Sequence, residues 1–192
     1  MGHGNMSSSI MVTSRGHTYQ LMPREYWHLT RRRAGLLLHN VALAEGICCS
    51  MSAFATLPGL EDVVSPYAFG ATGDQKEQVW ETIREKVSPH HPSRRNAIFL
   101  FDDEGLADRL RQGWFGAEDR IKLEARIVEG SRVHRADAKW LDCVQSDWEN
   151  AALMYWTGNM TSEPVPEILV HGAVYFPKWR EAPFGIGVGF PN

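Results

Sequence analysis

The run Asn96–Phe101 (NAIFLF) is the clearest strand in the chain, because β-branched and aromatic residues stand together there without helical spacing. Two more runs are of the same kind. Arg24–Thr30 (REYWHLT) follows a proline, and Glu167–Phe176 (EILVHGAVYF) follows Pro-Val-Pro. Arg120–Val128 (RIKLEARIV) alternates, which places Ile121, Leu123, Ala125 and Ile127 on one face. Helical stretches separate these strands. Arg33–Glu45 repeats Leu36, Leu37, Val41 and Ala44 at helical spacing and stops at Gly46. Gln75–Val87 is capped by Asp74 and carries Val79, Trp80, Ile83 and Val87 on one face. A third helix starts at Asp102 and Asp103 and turns Leu106, Ala107 and Leu110 inward, and a fourth spans Ser146–Trp156. Strands and helices mix without a regular βαβ repeat, which predicts an α+β fold rather than a doubly wound sheet.

A length of 192 residues fits one core. With 43% apolar and 22% charged residues, neither a disordered chain nor a coiled coil is indicated. The expected organisation is a disordered tail over residues 1–20, one catalytic-type domain over 21–180, and a Gly/Pro-rich tail over 181–192. Residues 48–73, rich in Ser, Ala, Gly and Pro, read as one long loop. A net charge of −3 argues against gripping nucleic acid through bulk positive charge, although Arg31–Arg33 form a local basic run. Three cysteines, two of them adjacent, make no disulfide framework. There is no apolar run of membrane-spanning length and no charged start leading into a signal segment. The expectation is a cytoplasmic protein without a membrane partner.

No Walker loop, GxGxxG, HExxH or paired CxxC occurs, so the candidate site rests on arrangement. Three polar features stand beside strands: His28 in YWHLT, the SRRN run before NAIFLF, and Glu167 in PEILV. Glu167 reads either as the solvated first residue of a strand or as a carboxylate facing a cleft. His28 reads either as a hydrogen-bonded structural histidine or as a site residue. Arg94 and Arg95, with Ser93, suit phosphate oxygens through paired N–H donors, or form a surface charge pair. His90 and His91 with Cys48 and Cys49 lack metal-ligand spacing, so no metal is expected. Tyr155 and Trp156 end a helix, where they pack or line a pocket.

Taken in order, YWHLT with its helix to EGI, PSRRNAIFLFDDEGLAD, and YWTGNMTSEPVPEILVHGAVYF resemble the ADP-ribosyltransferase superfamily, especially small bacterial members that include DNA-targeting toxins. The resemblance covers Tyr26 to Phe176 and implies split mixed or antiparallel sheets with flanking helices. It implies NAD as co-substrate, held by His28 and Thr30 near a ribose and by Ser93, Arg94 or Arg95 near the pyrophosphate. Phe99, Phe101 or Tyr155 would stack on nicotinamide, and Glu167 would be the catalytic carboxylate. Val165 stands where many protein-directed members carry glutamine or glutamate. The implied acceptor is therefore a nucleic acid, nucleobase or small molecule rather than protein arginine. The resemblance also implies action in the cytoplasm, of its own cell or of a target cell, and an antitoxin or immunity partner. The alternatives are a non-catalytic interaction or nucleic-acid-binding domain of the same fold, an NAD glycohydrolase, and an RNA 2′-phosphotransferase-like enzyme. The last is disfavoured because its two-histidine HH-Arg-Val arrangement is missing.

Overall fold

A computed structural model describes residues 9–60, 63, 74–113 and 119–184. The strands are β1 (Ile10–Ser14), β2 (His17–Leu21), β3 (Tyr26–Arg31), β4 (Ile47–Cys49), β5 (Ile98–Leu100), β6 (Arg120–Ile127), β7 (Arg132–Asp137), β8 (Pro166–His171) and β9 (Ala173–Tyr175). The helices are α1 (Gly35–Leu43), α2 (Met51–Phe54), α3 (Gln75–Val87), α4 (Glu104–Gln112) and α5 (Trp148–Trp156). They form a single α+β domain. All strand pairing is antiparallel, in a hairpin β1-β2, a four-stranded sheet β3-β6-β9-β4 and a three-stranded sheet β5-β8-β7.

Two features join the larger sheets. Trp27 and Phe101 exchange both backbone hydrogen bonds, at 2.9 and 2.8 Å, where β3 passes the end of β5. The run Glu167–Phe176, expected as one strand, changes sheets at Gly172. There φ is +136°, and a Cβ would collide with Ser131, so only glycine fits. Ser50 and Ser131 hold the crossing: the Gly172 N–H donates to Ser50 Oγ at 3.0 Å and the Ala173 N–H to Ser131 Oγ at 3.0 Å.

The helices start where their caps dictate. Asp74 accepts from the Lys76 N–H at 2.9 Å, Asp103 from the Leu106 N–H at 2.5 Å, and Ser50 from the Ala53 N–H at 3.2 Å. One core fills the space under α1 with Tyr26, Leu38, Val41, Leu100, Ile168, Val170 and Phe176. A second lies between the three-stranded sheet and helices α3 and α5, built from Trp80, Ala136, Ala152, Tyr155, Trp156 and Leu169. Trp156 Nε1 donates to the Trp80 carbonyl at 2.7 Å, tying α5 to α3.

Three expectations need correction. The stretch set aside as a disordered tail contains β1 and β2, a hairpin turned at Arg15 and Gly16 and fixed by Ser14 Oγ donating to the Ala44 carbonyl at 2.6 Å. The stretch read as a long loop contains β4 and α2; its residues 61–62 and 64–73 lie outside the described residues. Strand β7 was not expected at all, because its sequence RVHRAD is dominated by charge, with only His134, Ala136 and Asp137 turned inward. Of the expected C-terminal tail, residues 185–192 lie outside the described residues, while Phe184 is buried against Phe176.

Candidate active site

Helix α3 presents three acceptors to the segment before β5. Glu77 Oε1 accepts from Arg94 Nε at 3.3 Å, Gln78 Oε1 from Arg95 Nη2 at 2.8 Å, and Glu81 Oε2 from Ser93 Oγ at 2.9 Å. Positions i, i+1 and i+4 of one helix thus hold Arg94, Arg95 and Ser93 respectively. Arg84 closes the far side of Glu81 with bonds of 3.1 and 2.8 Å, so that carboxylate is shared as well.

Arg94 is directed inward by this clamp and is only 5% exposed. Its Nη1 donates to Glu167 Oε1 at 2.5 Å and to the Tyr155 hydroxyl at 2.7 Å, and that hydroxyl donates in turn to Glu167 Oε1 at 2.6 Å. The guanidinium lies 5.2 Å from the ring centroids of both Phe99 and Tyr155. Glu167 is 5% exposed and stands at the start of β8, opposite Ala136 of β7. Its Oε1 takes two strong donors, whereas its Oε2 accepts no hydrogen bond among the described residues. Burial, reinforced by the Glu167 charge and opposed by Arg94, raises the Tyr155 phenol well above its ordinary range. Tyr155 therefore stays protonated and remains a donor.

His28 of β3 reaches across to β5 beside the Trp27–Phe101 bridge. Its Nδ1 lies 2.8 Å from the Phe99 carbonyl, which can only accept, so Nδ1 carries the proton. Burial lowers its pKa, against the opposing effect of the bond to Phe99, and Arg120 lowers it further. The ring is neutral near pH 7, and its Nε2 is a bare acceptor without a hydrogen-bond partner among the described residues. Thr30, two residues along the same face of β3, is buried.

The structure gathers Arg94, Phe99, Tyr155 and Glu167 into one cluster, and it attaches His28 to the backbone of the same Phe99. It does not bond His28 to Glu167. His28 sits beside the core of Tyr26 and Phe176, and Glu167 beside that of Trp80 and Leu169. Ser93 and Arg95 turn to α3 rather than to Glu167. Phe101 is buried against α4, away from Arg94. Glu77 escaped the sequence reading, although it lies one turn before Trp80 on the buried face of α3, and that spacing could have revealed it. Among the described residues, no group of three or more His, Cys, Asp or Glu side chains is placed to hold a metal ion. No described helix is long and apolar enough to cross a membrane.

Fold and site together define an α+β domain of antiparallel sheets and flanking helices with a buried Arg–Tyr–Glu cluster at the foot of β8. Residues 60–179 match the family described as protein of unknown function (DUF2441), and the chain belongs to that family. No curated protein matches the chain.

Proposed function

We propose that the chain is an NAD-dependent ADP-ribosyltransferase-like enzyme in which Glu167 is the catalytic carboxylate. One observation carries this reading. Arg94 and Tyr155, separated from Glu167 by 73 and 12 positions, both hold its Oε1 while its Oε2 has no protein partner among the described residues. The neutral His28, bonded to the backbone of the same Phe99 that lies against Arg94, supports the same reading.

The chemistry follows from the charges. Nicotinamide leaves with the bonding pair of its N-glycosidic bond, and positive charge develops on the ribose, as in other glycosyl transfers. A carboxylate offsets that charge and accepts a hydrogen bond from a ribose hydroxyl, a task that suits Oε2. The acceptor then attacks the anomeric carbon and its proton passes to the carboxylate. His28 Nε2 is suited to accept from the other ribose. Val165, in place of a second carboxylate or amide, packs against the cluster of Leu29 and Phe101, and its N–H and carbonyl are tied to Asp137 and Ala138. That side chain offers nothing to a guanidinium, which supports a nucleic acid, nucleobase or small-molecule acceptor. The test is nicotinamide release or ADP-ribose transfer by the purified protein. Glu167→Gln should lower turnover by about 10²-fold or more while the circular dichroism spectrum is kept; full turnover in that variant would overturn the assignment.

A second reading is an interaction domain in which Arg94–Glu167 is a structural ion pair. The burial of both side chains favours it. It requires that the wild type neither bind nor cleave NAD, with cell extract supplied as acceptor.

A further inference from the structure

We propose that Glu77 is a positioning residue, which acts on Glu167 through Arg94 by fixing the edge of the guanidinium that Glu167 does not touch. This inference rests on the assignment of Glu167 as the working carboxylate. Glu77 is 6% exposed, and its Oε1 accepts from Arg94 Nε. Arg94 uses Nη1 for Glu167 and Tyr155. These three bonds restrain the guanidinium from two edges, Nε and Nη1.

Stability alone does not account for the arrangement. Two buried carboxylates share one guanidinium, and such pairs are often replaced by neutral groups without loss of stability. A geometric role does account for it. If the Nε edge is released, the planar group rotates, Nη1 leaves Glu167 Oε1, and the carboxylate loses the donor that sets its direction. Glu77 also sits in the helix that holds Arg95 and Ser93 and that receives Trp156 Nε1 next to Tyr155. Helix α3 thus positions both donors of Glu167, one through a side chain and the other through α5.

The test compares Glu77→Ala, which removes the acceptor, with Glu77→Gln, which keeps an acceptor oxygen and removes the charge. Nicotinamide release from NAD is measured with kcat and KM resolved, and solvent exchange of the Arg94 Nε–H is followed by nitrogen-edited NMR. In Glu77→Ala we expect kcat to fall by about tenfold or more, KM to stay within about threefold, and Arg94 Nε–H exchange to accelerate by about tenfold. Glu77→Gln should restore most of the turnover and the slow exchange. Three results would overturn the proposal: unchanged exchange in Glu77→Ala, unchanged kcat in Glu77→Ala, or Glu77→Gln as impaired as Glu77→Ala. A wild type without turnover defeats the NAD reading instead, and the exchange rates then decide the role of Glu77 by themselves.

Discussion

Two buried carboxylates stand one residue apart in the β7–β8 ladder, and they are satisfied in opposite ways. Asp137, fully buried, uses both oxygens. Its Oδ1 accepts from the N–H groups of Lys139 and Val165 at 2.9 and 2.7 Å, and its Oδ2 from the Thr161 N–H and hydroxyl at 2.8 and 2.7 Å. Burial alone would raise its pKa, but these donors prevail and hold it below the usual carboxylate range. All its bonds go to residues 139–165, so Asp137 shapes the connection that leads into β8. Glu167 takes its donors from two distant side chains, both on one oxygen. A carboxylate saturated by local backbone is a fold element. One held by imported side chains, with an oxygen to spare, has the means to serve a ligand.

The largest effect expected to separate the two sites is that of Arg94→Met. It leaves the buried Glu167 carboxylate without its guanidinium and should cost about 3–5 kcal/mol in urea unfolding. A cost near zero would place the cluster in contact with solvent and weaken the contrast. Asp137→Ala should follow at about 3 kcal/mol, because it leaves three backbone N–H groups without an acceptor. It should act first on the connection before β8, seen as faster amide exchange at Thr161 and Val165.

Acidification tests the neighbourhoods of the two carboxylates differently. His134 of β7 stacks on His91 at 4.1 Å and on Trp156 at 5.3 Å, and its Nε2 lies 3.1 Å from the Tyr155 carbonyl. Burial first, then the adjacent His91, lower its pKa to about 4, against the effect of the Tyr155 bond. A folded pKa below the unfolded 6.5 means that the neutral form stabilises the fold. That contribution is complete above pH 6.5 and is lost as the pH falls towards 4, by on the order of 2 kcal/mol. His91, also lowered by burial, adds in the same direction. Asp137 contributes throughout that window and fails only below it. The end of α5, with Tyr155, should therefore loosen before the Asp137 connection, and His134→Asn should flatten the pH profile. Smallest in stability is Tyr155→Phe, at about 1 kcal/mol, since Arg94 still reaches Glu167. Its cost to turnover should exceed its cost to stability if Glu167 works as proposed.

How much of this was legible before the fold was known depends on the kind of signal. NAIFLF and RIKLEARIV announce strands because their side chains are β-prone or alternate, and Asp74 and Asp103 announce helices because their carboxylates cap free amides. The strand of Arg132–Asp137 was silent, because its arginines face solvent and its inward residues are His134, Ala136 and Asp137. The hairpin at Ile10–Leu21 was obscured by the small, polar residues that precede it, although IMVTS and HTYQL are themselves β-prone, and its place comes from the bridge of Leu21 to Val128 just past β6. Of the candidate residues, Glu167, Arg94, Tyr155 and Phe99 could be singled out because each stands beside a strand or ends a helix. Their meeting could not be read, since it depends on packing that brings Arg94 to Tyr155 and Glu167, 61 and 73 positions away; only Glu77, one turn before Trp80, carried a spacing that hinted at burial.

Local chemistry therefore determined by itself where most strands and helices lie, where several helices begin, and which polar residues stand at strand mouths. These depend on side chains within a few positions of each other. Tertiary structure alone decided that EILVHGAVYF splits between two sheets at Gly172. It also decided that Asp137 is spent on its own connection, and that the second oxygen of Glu167 is left without a hydrogen-bond partner among the described residues. Those outcomes depend on which distant donors arrive at a buried acceptor, and hydrogen-bond partners brought together by packing leave no period or spacing in the chain.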